Sequence, residues 1–246
     1  MPTTGEDRPV VRQDRVALVC GGSRGIGLAT ATRLRASGRK VAVLSRSGGA
    51  PGDFLSVRCD LTEAADVDAA VRQVEDRLGP VEVMVANAGI TDDALLARTS
   101  EVSFRALVEG NLLSAYHAAR RVVPGMTDRG WGRLVFVSSV AATVGVAGQS
   151  GYAAAKAALI GLARSLAREV APHSVTVNVV LPGFVETELT RRVPERVRAG
   201  IRAHVPLGRF GDSREVAAVV DFLVGEHAGY ITGALVPVDG GQGMGW

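Results

Sequence analysis

Tyr152 and Lys156 stand four residues apart in the stretch Ser150-Gly151-Tyr152-Ala153-Ala154-Ala155-Lys156. On a helix that spacing puts a phenol and an ammonium on one face, one turn from each other. An unperturbed tyrosine ionises near pH ~10, and a neighbouring cation lowers that value by favouring the phenolate. The pair is a device for passing a proton to or from a substrate oxygen. The same spacing also occurs on surface helices where both side chains are simply solvated, so the chemistry depends on what else the chain brings to this point.

A scaffold that could position the pair is visible in the alternation of apolar runs with helical segments. Arg15 to Cys20, Lys40 to Ser45, Phe54 to Cys59, Val81 to Ala86, Gly132 to Ser138, Val175 to Leu181 and Ala234 to Val238 read as short strands, most of them apolar enough to be buried on both faces. Between them, helices are expected from Gly25 to Ser37, from Thr62 (at the cap) to Leu78, and from Glu101 to Met126 with an interruption at Pro124. Further helices are expected from Ser150 to Val170 and from Ser213 to Val224. Strand-helix alternation of this length implies right-handed crossovers, and so a single α/β domain over residues 14–246. Its expected form is a Rossmann-like, doubly wound parallel sheet of about seven strands with helices on both faces. Residues 1–13 are polar, mixed in charge and without an apolar core, and are expected to form a flexible arm. In such sheets ligands bind at the carboxyl ends of the strands, near the reversal of strand order. That rule gathers the residues after Cys20, Ser45, Cys59, Ala86, Ser138 and Leu181 on one edge.

Composition narrows the function. The chain has 246 residues, 47% hydrophobic and 22% charged, enough for a large core. No run of eighteen uncharged apolar residues suggests a membrane span. The net charge of +3 comes from 28 basic residues scattered among 25 acidic ones, which gives no footing for nucleic acid. Cys20 and Cys59 end apolar runs and need no disulfide, as in a protein of the reducing cytoplasm. The four histidines are isolated from one another and from both cysteines, so no metal site is proposed.

The strand ends carry the remaining motifs. Gly21-Gly22-Ser23-Arg24-Gly25-Ile26-Gly27 follows the first strand, where glycines let the backbone turn sharply and approach a pyrophosphate at a helix N-terminus. The second strand ends at Ser45-Arg46 with no carboxylate between Val41 and Gly52 to hold the ribose hydroxyls of NAD. Arg46 and Arg24 offer guanidinium groups suited to the 2′-phosphate of NADPH. Asp60, after the third strand, could accept from an adenine amine or serve a turn or helix cap. Asn87-Ala88-Gly89, after the fourth, could brace the strand ends and leave room for a cofactor.

Taken together, Gly21-x-x-x-Gly25-Ile26-Gly27, Asn87-Ala88-Gly89, Ser139 thirteen residues before Tyr152, Tyr152-x-x-x-Lys156 and Pro182-Gly183 with Thr187 resemble the short-chain dehydrogenases/reductases over essentially residues 14–246. Within that family, Val19 to Gly27, Asn178 to Thr187 and Tyr230-Ile231-Thr232-Gly233 look like bacterial 3-oxoacyl-[acyl-carrier-protein] reductases. The ending Pro237-Val238-Asp239-Gly240-Gly241 is most similar to the mycobacterial and actinobacterial type. The resemblance implies reduction of a 3-oxoacyl thioester by NADPH in fatty acid biosynthesis. Tyr152 would be the proton donor, and Lys156 would hold the nicotinamide ribose and depress the tyrosine pKa. Ser139 would bond the substrate carbonyl, and Asn111 would kink its helix and position a water. Pro182, Gly183, Val185 and Thr187 would lie at the nicotinamide carboxamide. A lid over about residues 187–205, a homotetramer and docking of an acyl carrier protein are also implied. Two departures stand out. Cys20 replaces a threonine whose hydroxyl tethers the glycine loop. The carrier-docking places read Asp128-Arg129-Gly130-Trp131-Gly132-Arg133 and Ala171-Pro172-His173, so only Arg129 and Arg133 keep charge there. The arginines of the segment Thr190 to Arg202 could meet an acidic carrier or form a solvated helix face. The alternatives are a reductase of the same family acting on a polyketide, steroid or other small carbonyl, and a dinucleotide-sensing protein without turnover.

Overall fold

The computed structural model describes residues 14–187, 190 and 193–244; the expected arm over residues 1–13 lies outside them. Aliphatic runs without alternation form strands covered on both faces. The chain runs β1 (Val16–Cys20), α1 (Gly25–Ala36), β2 (Lys40–Ser45), β3 (Leu55–Arg58), α2 (Ala64–Leu78), β4 (Val81–Ala86) and α3 (Glu101–Val108). After a π-helical turn (Glu109–Leu113) come α4 (Ser114–Arg129), β5 (Gly132–Val137), α5 (Ala141–Val144), α6 (Ser150–Val170) and β6 (Val175–Pro182). The last elements are β7 (Val185–Glu186), α7 (Glu195–Ala203), β8 (Gly211–Asp212), α8 (Ser213–Leu223) and β9 (Leu235–Val238).

Seven strands form one sheet in the order β3-β2-β1-β4-β5-β6-β9, every pair parallel, as the doubly wound reading requires. Strand order reverses beside β1, so the loops after β1 and β4 open the crevice where a ligand belongs. Alternate side chains feed two cores. Leu18, Leu44, Met84, Leu134 and Phe136 pack on the α2, α4 and α6 side, while Val19, Val43, Val85 and Val135 face α1 and α8. Asn178 is buried in β6, where its Nδ2 donates to Ile231 O (2.8 Å) and its Oδ1 accepts from Ala234 N (3.1 Å), which brings β9 alongside as the edge strand. A second, two-stranded sheet joins β7 to β8 and ties the segment after Pro182 to the start of α8.

Two local expectations are corrected. Helix α2 starts at Ala64 with Glu63 in the cap position. The Thr62 hydroxyl and amide are both taken by Asp60 Oδ1, at 2.7 and 3.0 Å, so Thr62 closes a turn instead of capping. Nor does Pro124 interrupt its helix, since α4 runs through it to Arg129 and stops at Gly130, φ +66°. Pro124 and Arg120, whose carbonyl loses its amide partner, are both exposed, so solvent can satisfy that carbonyl.

Candidate active site

The glycine loop is shaped by close backbone contacts. Gly21 has φ +76°, and a Cβ on it would lie 2.7 Å from Ala88 Cα; one on Gly27 would overlap the Gly21 carbonyl oxygen. Three bonds hold the loop, none of them from Cys20's side chain. Gly21 N donates to Leu44 O (2.8 Å), Asn87 Nδ2 to Gly21 O (2.9 Å) and Asn87 N to Cys20 O (3.1 Å). Cys20 and Cys59 are buried free thiols, each pushed up to about 12, chiefly by burial, and so inert. Helix α1 begins at Gly25, with Arg24 in the cap position making no side-chain cap and no acidic residue in the first turn, leaving its amides available to an anion.

A cavity of about 420 Å³ extends from this loop past Ser45 and Arg46, along Asp60 and Thr62, to Asn87, Ile90 and Thr187. It brings together ten of the residues singled out from the sequence: Gly21, Ser23, Arg24, Gly25, Arg46, Asp60, Asn87, Ala88, Gly89 and Thr187. Both readings of Asp60 meet here. It closes a turn with Thr62, whose hydroxyl and amide hold its carboxyl below the usual value with a smaller contribution from Arg46, and it also lines the cavity. Among the described residues Arg24 and Arg46 make no hydrogen bond or salt bridge, although the Arg46 charge acts on Asp60. Ile26 and Gly27 do not line the cavity. Ile26 packs on the core facing α1 and α8, and Gly27 fits under Gly21. Pro182, Gly183 and Val185 form the adjoining turn, where a Cβ on Gly183 would come 2.7 Å from Asp239 Cα. A dinucleotide fits this wall: the turn has no room for side chains, the helix end is uncapped, and two guanidinium groups line the cavity.

Beside the cavity lies the proton-transfer set. Lys156 is 4% exposed; its Nζ donates to Val137 O (2.9 Å) and lies 5.9 Å from the Tyr152 ring centre. Burial lowers this ammonium to about 8. Ser138, which sequence reasoning passed over, fixes the same turn of α6 by donating from Oγ to Lys156 O (2.8 Å). Its position next to Ser139 was the available signal. Ser139 hydrogen-bonds Tyr152 and accepts from Ala141 N at 3.2 Å. Asn111 sits in the π-helical turn with no exposed surface. Its Nδ2 donates to Ile90 O (2.9 Å) and Leu107 O (2.8 Å), while its Oδ1 is buried with no partner. Only glycine fits between this group and the cavity: a Cβ on Gly89 would lie 2.5 Å from Asn111 Oδ1 and 3.2 Å from Lys156 Nζ.

The electrostatics of Tyr152 differ from the expectation. Burial pushes the phenol above its ordinary value; the Ser139 bond opposes this and the Asp93 carboxylate adds to it. Lys156 is turned toward the Val137 carbonyl.

Four of the arginines expected to dock a carrier have partners within the chain. Arg129 donates to Val81 O (2.8 Å). Arg133 is 4% exposed, bonds Gly132 O and Ser174 O, and lies with Arg15 over the Trp131 ring, at 4.4 and 3.3 Å. In the lid segment, Arg198 is paired with Glu186 and Arg202 with Glu195 (2.6 Å), both over Phe210; residues 188, 189, 191 and 192 lie outside the described set. Among the described residues no helix is long and apolar enough to cross a membrane, and no cluster of His, Cys, Asp and Glu could hold a metal ion.

Residues 21–242 match the family profile described as Enoyl-(Acyl carrier protein) reductase. The chain is 47% identical over 243 residues, 99% of its length and 98% of the relative's, to the 3-oxoacyl-[acyl-carrier-protein] reductase MabA of Mycobacterium tuberculosis. It is 48% identical over 231 residues to MabA of Mycobacterium avium, covering 94% of this chain and 91% of that one. To the 3-oxoacyl-[acyl-carrier-protein] reductase FabG of Escherichia coli it is 42% identical over 240 residues, 94% and 98% of the two chains. Fold and site define a Rossmann-type oxidoreductase. The chain belongs to the short-chain dehydrogenase/reductase family.

Proposed function

We propose that this chain reduces a 3-oxoacyl thioester, carried on acyl carrier protein or coenzyme A, to the 3-hydroxyacyl thioester with NADPH, as a step of fatty acid biosynthesis. The observation that carries the reading is the convergence of Ser139, Tyr152, Lys156 and Asn111 beside an uncapped, glycine-lined cavity that holds Arg24 and Arg46. Bound NADPH supplies the hydride. Gly21, Ser23 and Gly25 would cradle its pyrophosphate, Arg24 and Arg46 its 2′-phosphate, and Asp60 its adenine. Asn87, Ala88 and Gly89 would flank the ribose, and Pro182, Gly183, Val185 and Thr187 the carboxamide.

The residues then divide the work at the substrate oxygen. Ser139 Oγ donates a hydrogen bond to the carbonyl. Tyr152 gives up its phenolic proton as negative charge develops there, and its raised value keeps that proton in place at neutral pH. Lys156, at about 8, is mostly an ammonium at pH 7 and can hold ribose hydroxyls and stabilise the phenolate left behind. The unpartnered Asn111 Oδ1 is an acceptor for a water through which the phenol regains its proton. General acid help of this kind contributes ~10²–10⁴-fold.

Tyr152→Phe should keep its fold and its NADPH affinity, measured by fluorescence titration, and lose turnover by about that factor. Turnover close to the parent's would refute the role. Because the matching profile is described by an enoyl reductase, a 2-enoyl thioester belongs in the substrate panel beside acetoacetyl-coenzyme A, an acyl-carrier-bound ketone and unrelated ketones. Faster reduction of the enoyl compound would displace the ketone reading. A homotetramer in the cytoplasm is the accompanying expectation.

A further inference from the structure

The backbone proposed to meet the nicotinamide is hydrogen-bonded by a side chain that none of these roles uses. Thr190 reaches back along the chain to the segment after Pro182 and Gly183. Its Oγ1 donates to Val185 O (2.9 Å), with Thr187 O as a second acceptor in reach (3.1 Å), and it accepts from Thr187 N at 2.8 Å. The two threonine hydroxyls lie 3.3 Å apart, and Thr190 N donates to Thr187 Oγ1, also at 3.3 Å. One hydroxyl thus serves a backbone carbonyl as donor and a backbone amide two residues further on as acceptor. Thr187 stands over the glycine loop: it lines the cavity, and a Cβ on Gly25 would lie 3.4 Å from its Cγ2.

Neighbouring elements fix Thr190 in this place. Val185, 4% exposed, belongs to β7, which pairs with β8. From α7, Arg198 donates from Nη1 to Thr190 O (3.1 Å), pairs with Glu186 and reaches Glu195 Oε2 at 3.2 Å. Its guanidinium lies 4.9 Å from the Phe210 ring centre, and Phe210 packs on Phe184 with their centres 4.6 Å apart. Arg198 therefore grips the chain on both sides of Thr187, at Glu186 and at Thr190, and both grips come from the helix of the expected lid.

We infer that Thr190 is a positioning residue whose hydroxyl holds the place of the nicotinamide carboxamide, and that exchange of one for the other moves α7. The inference rests on the reading of this chain as an NADPH enzyme with Val185 and Thr187 at the carboxamide. A carboxamide has N–H groups that donate and a carbonyl oxygen that accepts. These are the two functions that the Thr190 hydroxyl presents to Val185 O and Thr187 N. Backbone groups shielded from water cost free energy when they lack a partner, and the hydroxyl removes that cost. A ligand that takes the same two groups replaces an existing bond and gains only the difference. The effect is selective, because the phosphates and adenosine of the cofactor meet other residues. It also reaches the substrate side. Arg198 bonds the Thr190 carbonyl, so withdrawal of Thr190 pulls on α7, and nicotinamide binding and lid position become linked equilibria.

Two ligands separate the nicotinamide end from the rest. The full chain is titrated by calorimetry with NADPH and with adenosine 2′,5′-bisphosphate, which keeps the adenosine and its phosphates but has no nicotinamide. Thr190→Val removes the hydroxyl at nearly constant volume, and Thr190→Ser keeps it. Both ligands are measured on each variant, so that a general loss of folded protein cancels in the ratio of the two Kd values. Thr190→Val should lower the Kd for NADPH by about three- to tenfold, the worth of one ordinary hydrogen bond, and leave the bisphosphate unaffected. Thr190→Ser should bind both like the parent. In the parent, hydrogen exchange at the α7 amides should change on adding NADPH and stay as it was on adding the bisphosphate. NADPH binding by Thr190→Val that is unchanged or weaker overturns the inference, since the hydroxyl then supports the site and does not compete for it. An equal change for both ligands overturns it too, as does an α7 response to the bisphosphate as large as that to NADPH. In all three cases the cofactor reading survives, because the parent still binds NADPH. A parent that does not bind NADPH removes that reading and this inference together.

Discussion

Lys156 shows how the site trades stability for chemistry at the scale of one residue. An ammonium buried with a single carbonyl partner is disfavoured in the folded state, which is why its value falls to about 8 from 10.5. Because the unfolded chain still binds that proton up to 10.5, the folded state loses stability as pH falls through about 8, and the contribution is fully regained only above 10.5. Lys156→Met should therefore be more stable than the parent at pH 7, by about 1–3 kcal/mol in urea unfolding of the cofactor-free protein. The difference should shrink between pH 8 and 10.5, and turnover should be largely lost. Equal stability at pH 7 would mean that the buried charge is better satisfied than its single carbonyl implies. At the other end of the cavity Arg46 stands where β2 presents no carboxylate. Arg46→Glu should raise the Kd for NADPH by about ten- to a hundredfold, the worth of a charge-assisted hydrogen bond, and leave NADH binding little changed. Parallel losses for both cofactors would remove Arg46 from phosphate recognition. The identities of these residues could be read from spacing alone, because Tyr-x-x-x-Lys and a strand end without a carboxylate are local facts. The sign of the Tyr152 shift could not. It depends on burial, on the Ser139 bond, and on Asp93, fifty-nine positions away in the chain.

At the scale of elements, the π-helical turn between α3 and α4 does what a regular helix could not. The additional residue in the turn rotates Asn111 inward, where Nδ2 caps the carbonyls of Leu107 and Ile90 and Oδ1 is left over for the site. Asn111→Ala should lose about 1–3 kcal/mol of stability, measured by urea unfolding, because two buried carbonyls lose their donor. It should also lower kcat more than it raises the KM for thioester. A stable variant with normal kcat would return Asn111 to an ordinary helical position. Elements bounded by strong local signals were legible: α6 spans Ser150 to Val170 as its alanine-rich sequence predicts, and all seven sheet strands fall within a residue or two of their apolar runs. What failed were boundaries decided by competition. Thr62 has the right side chain for a cap, yet Asp60 two residues earlier takes both its donors. Pro124 has the right chemistry for a break, yet it falls where the freed carbonyl meets solvent.

For the whole molecule, the alternation of strands and helices was enough to give a parallel doubly wound sheet, because handedness and short connections leave few other ways to wind it. How the chain's surface is used is less local. Four of the arginines expected to receive an acidic carrier, Arg129, Arg133, Arg198 and Arg202, bond or stack within the chain on Val81, Trp131, Glu186 and Glu195, a fate no charge count reveals. Assembly follows the opposite logic, since here the isolated chain leaves apolar surface exposed. On the outer side, Leu113 and Tyr116 of the π-helical turn and α4 are 37% and 40% exposed. The neighbouring α6 presents Ala154 and Gly161, with open space around the Gly161 position. In a single chain a large side chain at Gly161 would meet nothing, and replacing a mid-helix glycine even favours the helix by up to about 1 kcal/mol. Against a second α6 the same side chain would prevent close helix contact. Gly161→Trp should therefore fold at least as stably in its own right and shift the molar mass from that of a homotetramer to a smaller species, as read by light scattering across a concentration series. An unchanged mass would show that this face is not buried between copies, and a parent that runs as a single chain at every concentration would end the tetramer expectation itself.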